Sequence, residues 1–144
     1  MATLKINELN KNFGSTEVLK GINLDINDGD FLVLLGPSGC GKSTLLNTIS
    51  GLETINSGEI LIDNHVVNNM EPSDRDIALV FQSYALYPAM TVKKNVTFGL
   101  EQRKTPKEKI AQALTEVSNL LQINELLERK PSQLSGGQRQ RVAM

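Results

Sequence analysis

At 144 residues the chain fits one domain on the usual scale of about 100–200 residues, and 40% hydrophobic with 22% charged residues excludes disordered and collagen-like classes. Fifteen Lys and Arg against sixteen Asp and Glu leave a net charge of −1, so any phosphate binding must be local rather than a property of the whole surface. The single cysteine, Cys40, cannot close an intramolecular disulfide, no basic segment followed by an apolar run opens the chain, and its longest apolar runs fall far short of the roughly 20 residues that span a bilayer, which points to a reducing, cytosolic setting.

Leu4 and Ile6, then Ile22, Leu24 and Ile26, alternate with polar residues, which predicts an antiparallel pair of strands with one buried face. Phe31 to Leu35 is apolar throughout, the pattern of a strand covered on both faces in a parallel sheet. It runs into Gly36-Pro37-Ser38-Gly39-Cys40-Gly41, after which Leu45, Leu46 and Ile49 fall at helical spacing until Gly51 stops the run. Strand, glycine-rich loop and helix follow one another. Glu59 to Ile62 and Val66-Val67 read as two short strands around an Asp63-Asn64 turn, and Ile77 to Phe81 as another buried strand.

Thr105-Pro106-Lys107-Glu108 predicts a helix start with Thr105 as N-cap, and Ile110, Leu114, Val117 and Leu121 then lie on one helical face. Asn124 to Lys130 reads as a short helix ended by Pro131, and Ser135 opens another. The basic surplus between Glu101 and Lys109 reads as a solvated helix entrance, and His65, the only histidine, as a surface residue.

Gly36-x-x-x-x-Gly41-Lys42-Ser43 matches a phosphate-cradling P-loop in the strand-to-helix setting such a loop requires. Its glycines let the N–H groups of residues 39 to 44 face phosphate oxygens, and the helix adds the positive end of its dipole. Lys42 supplies a mobile cation for the β- and γ-phosphates, and Ser43 a hydroxyl for Mg²⁺. Ile60-Leu61-Ile62-Asp63 imitates an apolar strand ending in a Mg²⁺-binding aspartate, but it has only three apolar residues and continues into a hairpin turn. It is rejected as a metal site.

Leu134-Ser135-Gly136-Gly137-Gln138, taken alone, is a loop-to-helix start with Ser135 as cap. Behind a P-loop it means more. The chain resembles the ATP-binding cassette (ABC) ATPases, whose signature motif reads these five residues and whose glutamine loop matches Gln82 after the Ile77 to Phe81 run. Gly36 to Leu46, Gly51-Leu52-Glu53, Ser57-Gly58-Glu59-Ile60, Asp74-Arg75-Asp76-Ile77 and Val80 to Pro88 are similar in particular to the ATPase subunit of bacterial carbohydrate importers. The likeness covers essentially the whole chain.

The resemblance implies an α/β P-loop fold: an N-terminal antiparallel β subdomain with the P-loop core over residues 1–83, a helical subdomain over 84–134, and the start of the signature helix over 135–144. It implies ATP and Mg²⁺ as ligands. Gly36, Pro37, Ser38, Gly39, Cys40, Gly41, Lys42, Ser43 and Thr44 would surround the phosphates, Lys42 and Gln82 would act in catalysis, and Ser43 and Gln82 would meet the metal. Phe13 stands where the family usually has a tyrosine stacked on adenine; phenylalanine keeps the π face and loses the hydroxyl, with a core aromatic as the competing reading. Val18 would line the same base site.

By the same resemblance, Ser135, Gly136, Gly137 and Gln138 of one subunit cap the nucleotide of another in a head-to-tail dimer. The other partners are membrane permease subunits, received by the apolar stretch Tyr84, Leu86, Tyr87, Pro88 and Met90, for which burial in the helical subdomain is the alternative. The implied function is ATP hydrolysis driving import of a sugar or related polyol at the cytoplasmic face of the plasma membrane, although importers of polyamines and metal ions share much of the pattern. A soluble relative acting on nucleic acid would place a long coiled coil between the motifs. Here Ser43 and Ser135 are 92 residues apart without sustained heptads, and no nucleic acid is expected. The family's Mg²⁺ aspartate, general-base glutamate and switch histidine would fall beyond Met144, so these residues are expected to be an N-terminal portion that is inactive in hydrolysis by itself.

Overall fold

Strand β1 (Leu4–Phe13) turns back at Gly14 and Ser15 into β2 (Thr16–Ile26) in a computed structural model that describes residues 2–144. Leu4 faces Ile26 and Ile6 faces Leu24, as the period-two pattern requires. On the other side of β1 lies β3 (Ser57–Ile62), with Ile6 opposite Ile60, and a hairpin returns as β4 (His65–Val66). Its two turn residues, Asp63 and Asn64, both have positive φ (49° and 63°), the tight turn whose twist matches the strands. Sheet order is β2-β1-β3-β4, antiparallel throughout. Ile6, Leu9, Leu19 and Ile60 meet Val67 and Leu45 of helix α1 (Lys42–Ser50) in the core of this unit, Met1–Leu79.

Two expected strands are not formed. Phe31 to Leu35 has no ladder partner among the described residues; Phe31 and Leu35 are 91% and 88% exposed, and only Leu34 packs against the core. Ile77 to Phe81 is also unpaired, with Ile77, Val80 and Phe81 exposed. An apolar run supplies side chains for two faces, but a strand also needs N–H and C=O partners alongside, and none of the four strands pairs with either segment.

The second unit, Val80–Met144, is helical: α2 (Val92–Gln102), α3 (Lys107–Leu120) and α4 (Gly136–Ala143), with 3₁₀ turns at Asn124–Leu126 and Pro131–Gln133. Val92, Ile123, Leu126, Leu134 and Val142 form its core. Sequence periodicity missed α2, because Val92, Val96, Thr97 and Gly99 are weak helix formers. Its start is instead built by partners: Thr91 Oγ1 accepts from Lys94 N (3.3 Å), and the carbonyls of Arg129 and Leu127 accept from Val92 N (2.8 Å) and Lys93 N (2.9 Å).

Thr105 does not cap α3. Its N–H donates to Leu100 O (3.0 Å) to close α2 after left-handed Lys104, so Pro106 becomes the N-cap position, with no side-chain cap. Ile110, Leu114 and Leu121 are half-buried, whereas Val117 is exposed and Ser118 is the buried residue of α3. The two units also differ in charge: five Lys and Arg against eleven Asp and Glu in the first, ten against five in the second.

Candidate nucleotide-binding site

The loop between Gly36 and Gly41 is shaped by three glycines with positive φ: Gly36 (155°), Gly39 (82°) and Gly41 (95°). Gly41 is required by space as well. A Cβ there would lie 3.0 Å from Leu19 Cδ2 and 3.2 Å from Val18 O, so the end of the loop rests directly on β2. Cys40 N–H turns back on Pro37 O (3.4 Å), and the Lys42 ammonium doubles over the loop to donate to Gly36 O (2.7 Å) and Pro37 O (2.8 Å), with Cys40 Sγ at 3.3 Å. The whole cradle is thus drawn around one cation.

Helix α1 opens on Gly41, which has no side chain to cap it, and its first turn carries no acid. Among the described residues, nothing accepts from the N–H groups of Lys42, Ser43 and Thr44. Three open donors, the positive helix end and an ammonium held only by neutral atoms are the chemistry that receives a polyphosphate. An anion would win Lys42 from those carbonyls, because charge-assisted hydrogen bonds are the stronger kind. Ser43 is exposed, so its hydroxyl is accessible to a phosphate-bound cation.

The opposite end of α1 is fixed by a residue that sequence reading missed. Arg75, 5% exposed, donates from Nη1 to Thr48 O (3.0 Å) and Ile49 O (2.9 Å), and from Nε to Met70 O (3.1 Å). Burial lowers the pKa of its guanidinium, with Glu71 acting the other way. A cation on the last carbonyls complements the negative helix end. Gly51 makes room for it, since a Cβ there would sit 2.6 Å from Arg75 Nε. An arginine between two aspartates carries no sequence signal of burial.

Phe13 ends β1 and is 47% exposed, with the Lys11 ammonium 4.8 Å from its ring centroid. Val18 is half-buried and contributes both its carbonyl and Cγ1 to the seat of Gly41. The first unit therefore holds Phe13, Val18 and Gly36 to Thr44. Gln82 belongs to the second unit, exposed in a turn closed by Tyr84 N–H on Phe81 O (2.9 Å). So do Ser135 to Gln138: Ser135 Oγ accepts from Gln138 N (3.3 Å) while Gln138 Oε1 accepts from Ser135 N (2.8 Å), and Gly136 and Gly137 face open space. Of the apolar stretch after Gln82, Leu86 packs against the helical core, whereas Tyr87 is 48% exposed and lies 4.8 Å from the Phe98 ring.

The ABC transporter family profile matches residues 19–144. The sn-glycerol-3-phosphate import ATP-binding protein UgpC of Brucella abortus is 58% identical over the whole chain, and UgpC 3 of Agrobacterium fabrum 57% identical, each aligned over 41% of its own length. The chain thus spans about two fifths of these curated relatives. Among solved structures, the ATP-binding cassette MJ0796, a dimer with ADP and Pi, superposes with TM-score 0.84 at 34% identity over 97% of this chain and 66% of that one. The cbiO1 protein of Clostridium perfringens, part of the transporter complex cbiONQ, gives 0.85 at 35% identity over 97% of this chain and 58% of that one. Among the described residues no helix is long and apolar enough to cross a membrane. The fold is of the α/β P-loop NTPase type, and the chain belongs to the ABC transporter family of ATP-binding cassettes.

Proposed function

We propose that the chain binds MgATP at Gly36 to Thr44 and serves the ATP-hydrolysing subunit of an importer for sn-glycerol-3-phosphate or a related sugar or polyol. The observation that carries it is the uncapped start of α1 beneath the Lys42 ammonium. The import role printed for relatives 58% identical over the whole chain supports the transport reading.

The residues fit the ligand. Lys42 would exchange the carbonyls of Gly36 and Pro37 for β- and γ-phosphate oxygens, with the first-turn amides around them. Mg²⁺ would rest on the nucleotide's own oxygens, the Ser43 hydroxyl and Gln82, where it neutralises phosphate charge. Gln82 has an amide able both to donate and to accept, which suits orienting a water. Phe13 and Val18 would receive the base.

Ser135, Gly136, Gly137 and Gln138 would close over the nucleotide of a second subunit, a reading supported by the dimeric MJ0796 cassette. Tyr87, exposed beside the Gln82 turn, would meet the permease at the cytoplasmic face of the membrane. Calorimetry tests the binding: MgATP should bind one to one and be displaced by tripolyphosphate, and a folded chain that ignores both lacks this site. In cells, Tyr87→Glu in the importing subunit should leave ATP binding intact and stop uptake. Undiminished uptake would rule out Tyr87 as the docking residue.

A further inference from the structure

Lys11 lies where an ammonium is hard to place. It is 6% exposed, its Nζ sits 2.7 Å from Glu53 Oε1, and the same ammonium lies 4.8 Å from the centroid of the Phe13 ring. The ammonium reaches the ring across the register shift that β1 makes between Lys11 and Asn12. Glu53 is itself fixed to the helix that carries the phosphate loop, through its N–H on Asn47 O (3.1 Å). Just beyond it, Asn56 Oδ1 accepts from Asn12 N (2.7 Å) and Asn56 N–H donates to Asn10 O (2.9 Å). One side of the ring is thus held by a cation tied to α1, while the residue remains 47% exposed.

We propose that Lys11 is a positioning residue for base recognition: through Phe13 it holds a nucleotide's base at fixed reach from the Gly36 to Thr44 cradle and strengthens its stacking. This rests on the reading of Phe13 as the base platform. A cation behind a ring draws π density toward itself, so the opposite face repels an electron-rich purine less. Glu53 neutralises the ammonium at contact distance, which leaves it little long-range pull on phosphate. The effect of Lys11 therefore depends on the base and on Phe13.

Calorimetry on the chain with MgATP and with magnesium tripolyphosphate, which has no base, tests this. Phe13→Ala should weaken MgATP about tenfold and leave tripolyphosphate unchanged. Lys11→Met should weaken MgATP about fivefold when Phe13 is present and have no further effect beside Phe13→Ala, while Lys11→Arg should retain wild-type affinity because a guanidinium also stacks on a ring. Lys11→Met with Glu53→Met removes both charges, so it leaves no orphan carboxylate and reads out the same loss if Lys11→Met alone does not fold. If Phe13→Ala leaves MgATP affinity unchanged, the platform reading and this proposal fall together. If Phe13→Ala weakens MgATP but removing Lys11 does not, or removing Lys11 weakens both ligands equally, the platform stands and the role of Lys11 is overturned.

Discussion

Helix α1 is preceded by a glycine and α4 by a serine, and the two treat their first N–H groups differently. At α4, Ser135 Oγ takes Gln138 N and the Gln138 side chain returns to Ser135 N, while among the described residues nothing accepts from Gly136 N or Gly137 N. Helix α1 has Gly41 in the same place, no cap, and a lysine folded over the loop before it. Withholding the cap leaves one more first-turn N–H open to an anion. The contrast also crosses the charge distribution, because the open start lies in the acidic unit, with five Lys and Arg against eleven Asp and Glu. Phosphate binding there would come from Lys42 and the amides at contact range, not from the field of the unit.

The comparison breaks most sharply at Lys42. Lys42→Ala should weaken MgATP by about 30- to 100-fold, the worth of a charge-assisted contact of about 2–3 kcal/mol. Equal calorimetric affinities for the variant and the parent would show that the open amides alone make the site. Next comes the other end of α1. Arg75→Leu leaves the Ile49 carbonyl without its donor and that of Thr48 with only Gly51 N–H, and should lower unfolding stability in urea by about 2 kcal/mol, with a smaller effect on MgATP affinity.

Ser135→Ala sharpens the contrast from the capped side. Loss of that cap should cost about 1 kcal/mol in the helical unit and speed amide exchange at Gln138, while MgATP binding to the chain is unchanged. The smallest effect is expected for Thr91→Ala, about 0.5 kcal/mol, since Val92 and Lys93 keep their carbonyl partners at the start of α2. A loss at Thr91 as large as at Ser135 would mean that those backbone contacts do not substitute for a cap.

What could be read from residue order was local. The β1–β2 pairing, the Asp63-Asn64 hairpin, α1 and the Ser135 cap each follow from spacings of a few residues. Gly36 to Ser43 is legible for the same reason, its glycines, lysine and hydroxyl lying within one loop and one turn. Lys11 and Arg75 were not legible, because their partners stand 42 and 27 residues away and each is defined by what surrounds it. Phe31 to Leu35 and Ile77 to Phe81 failed differently: hydrophobicity describes what a segment can bury and says nothing of which strand lies beside it. The Thr105 cap failed because the same residue was claimed by the end of α2.

The uneven charge of the two units also bears on how copies of the chain find one another. In the head-to-tail pair proposed above, an acidic unit would face the basic unit of the other copy, with ten Lys and Arg to five Asp and Glu, while pairing like with like would set repulsion on both sides. In that arrangement long-range attraction would act before any nucleotide is shared and would favour the antiparallel approach over the parallel one. Such guidance would fade with ionic strength, so it would govern how fast the pair forms more than how tightly it holds.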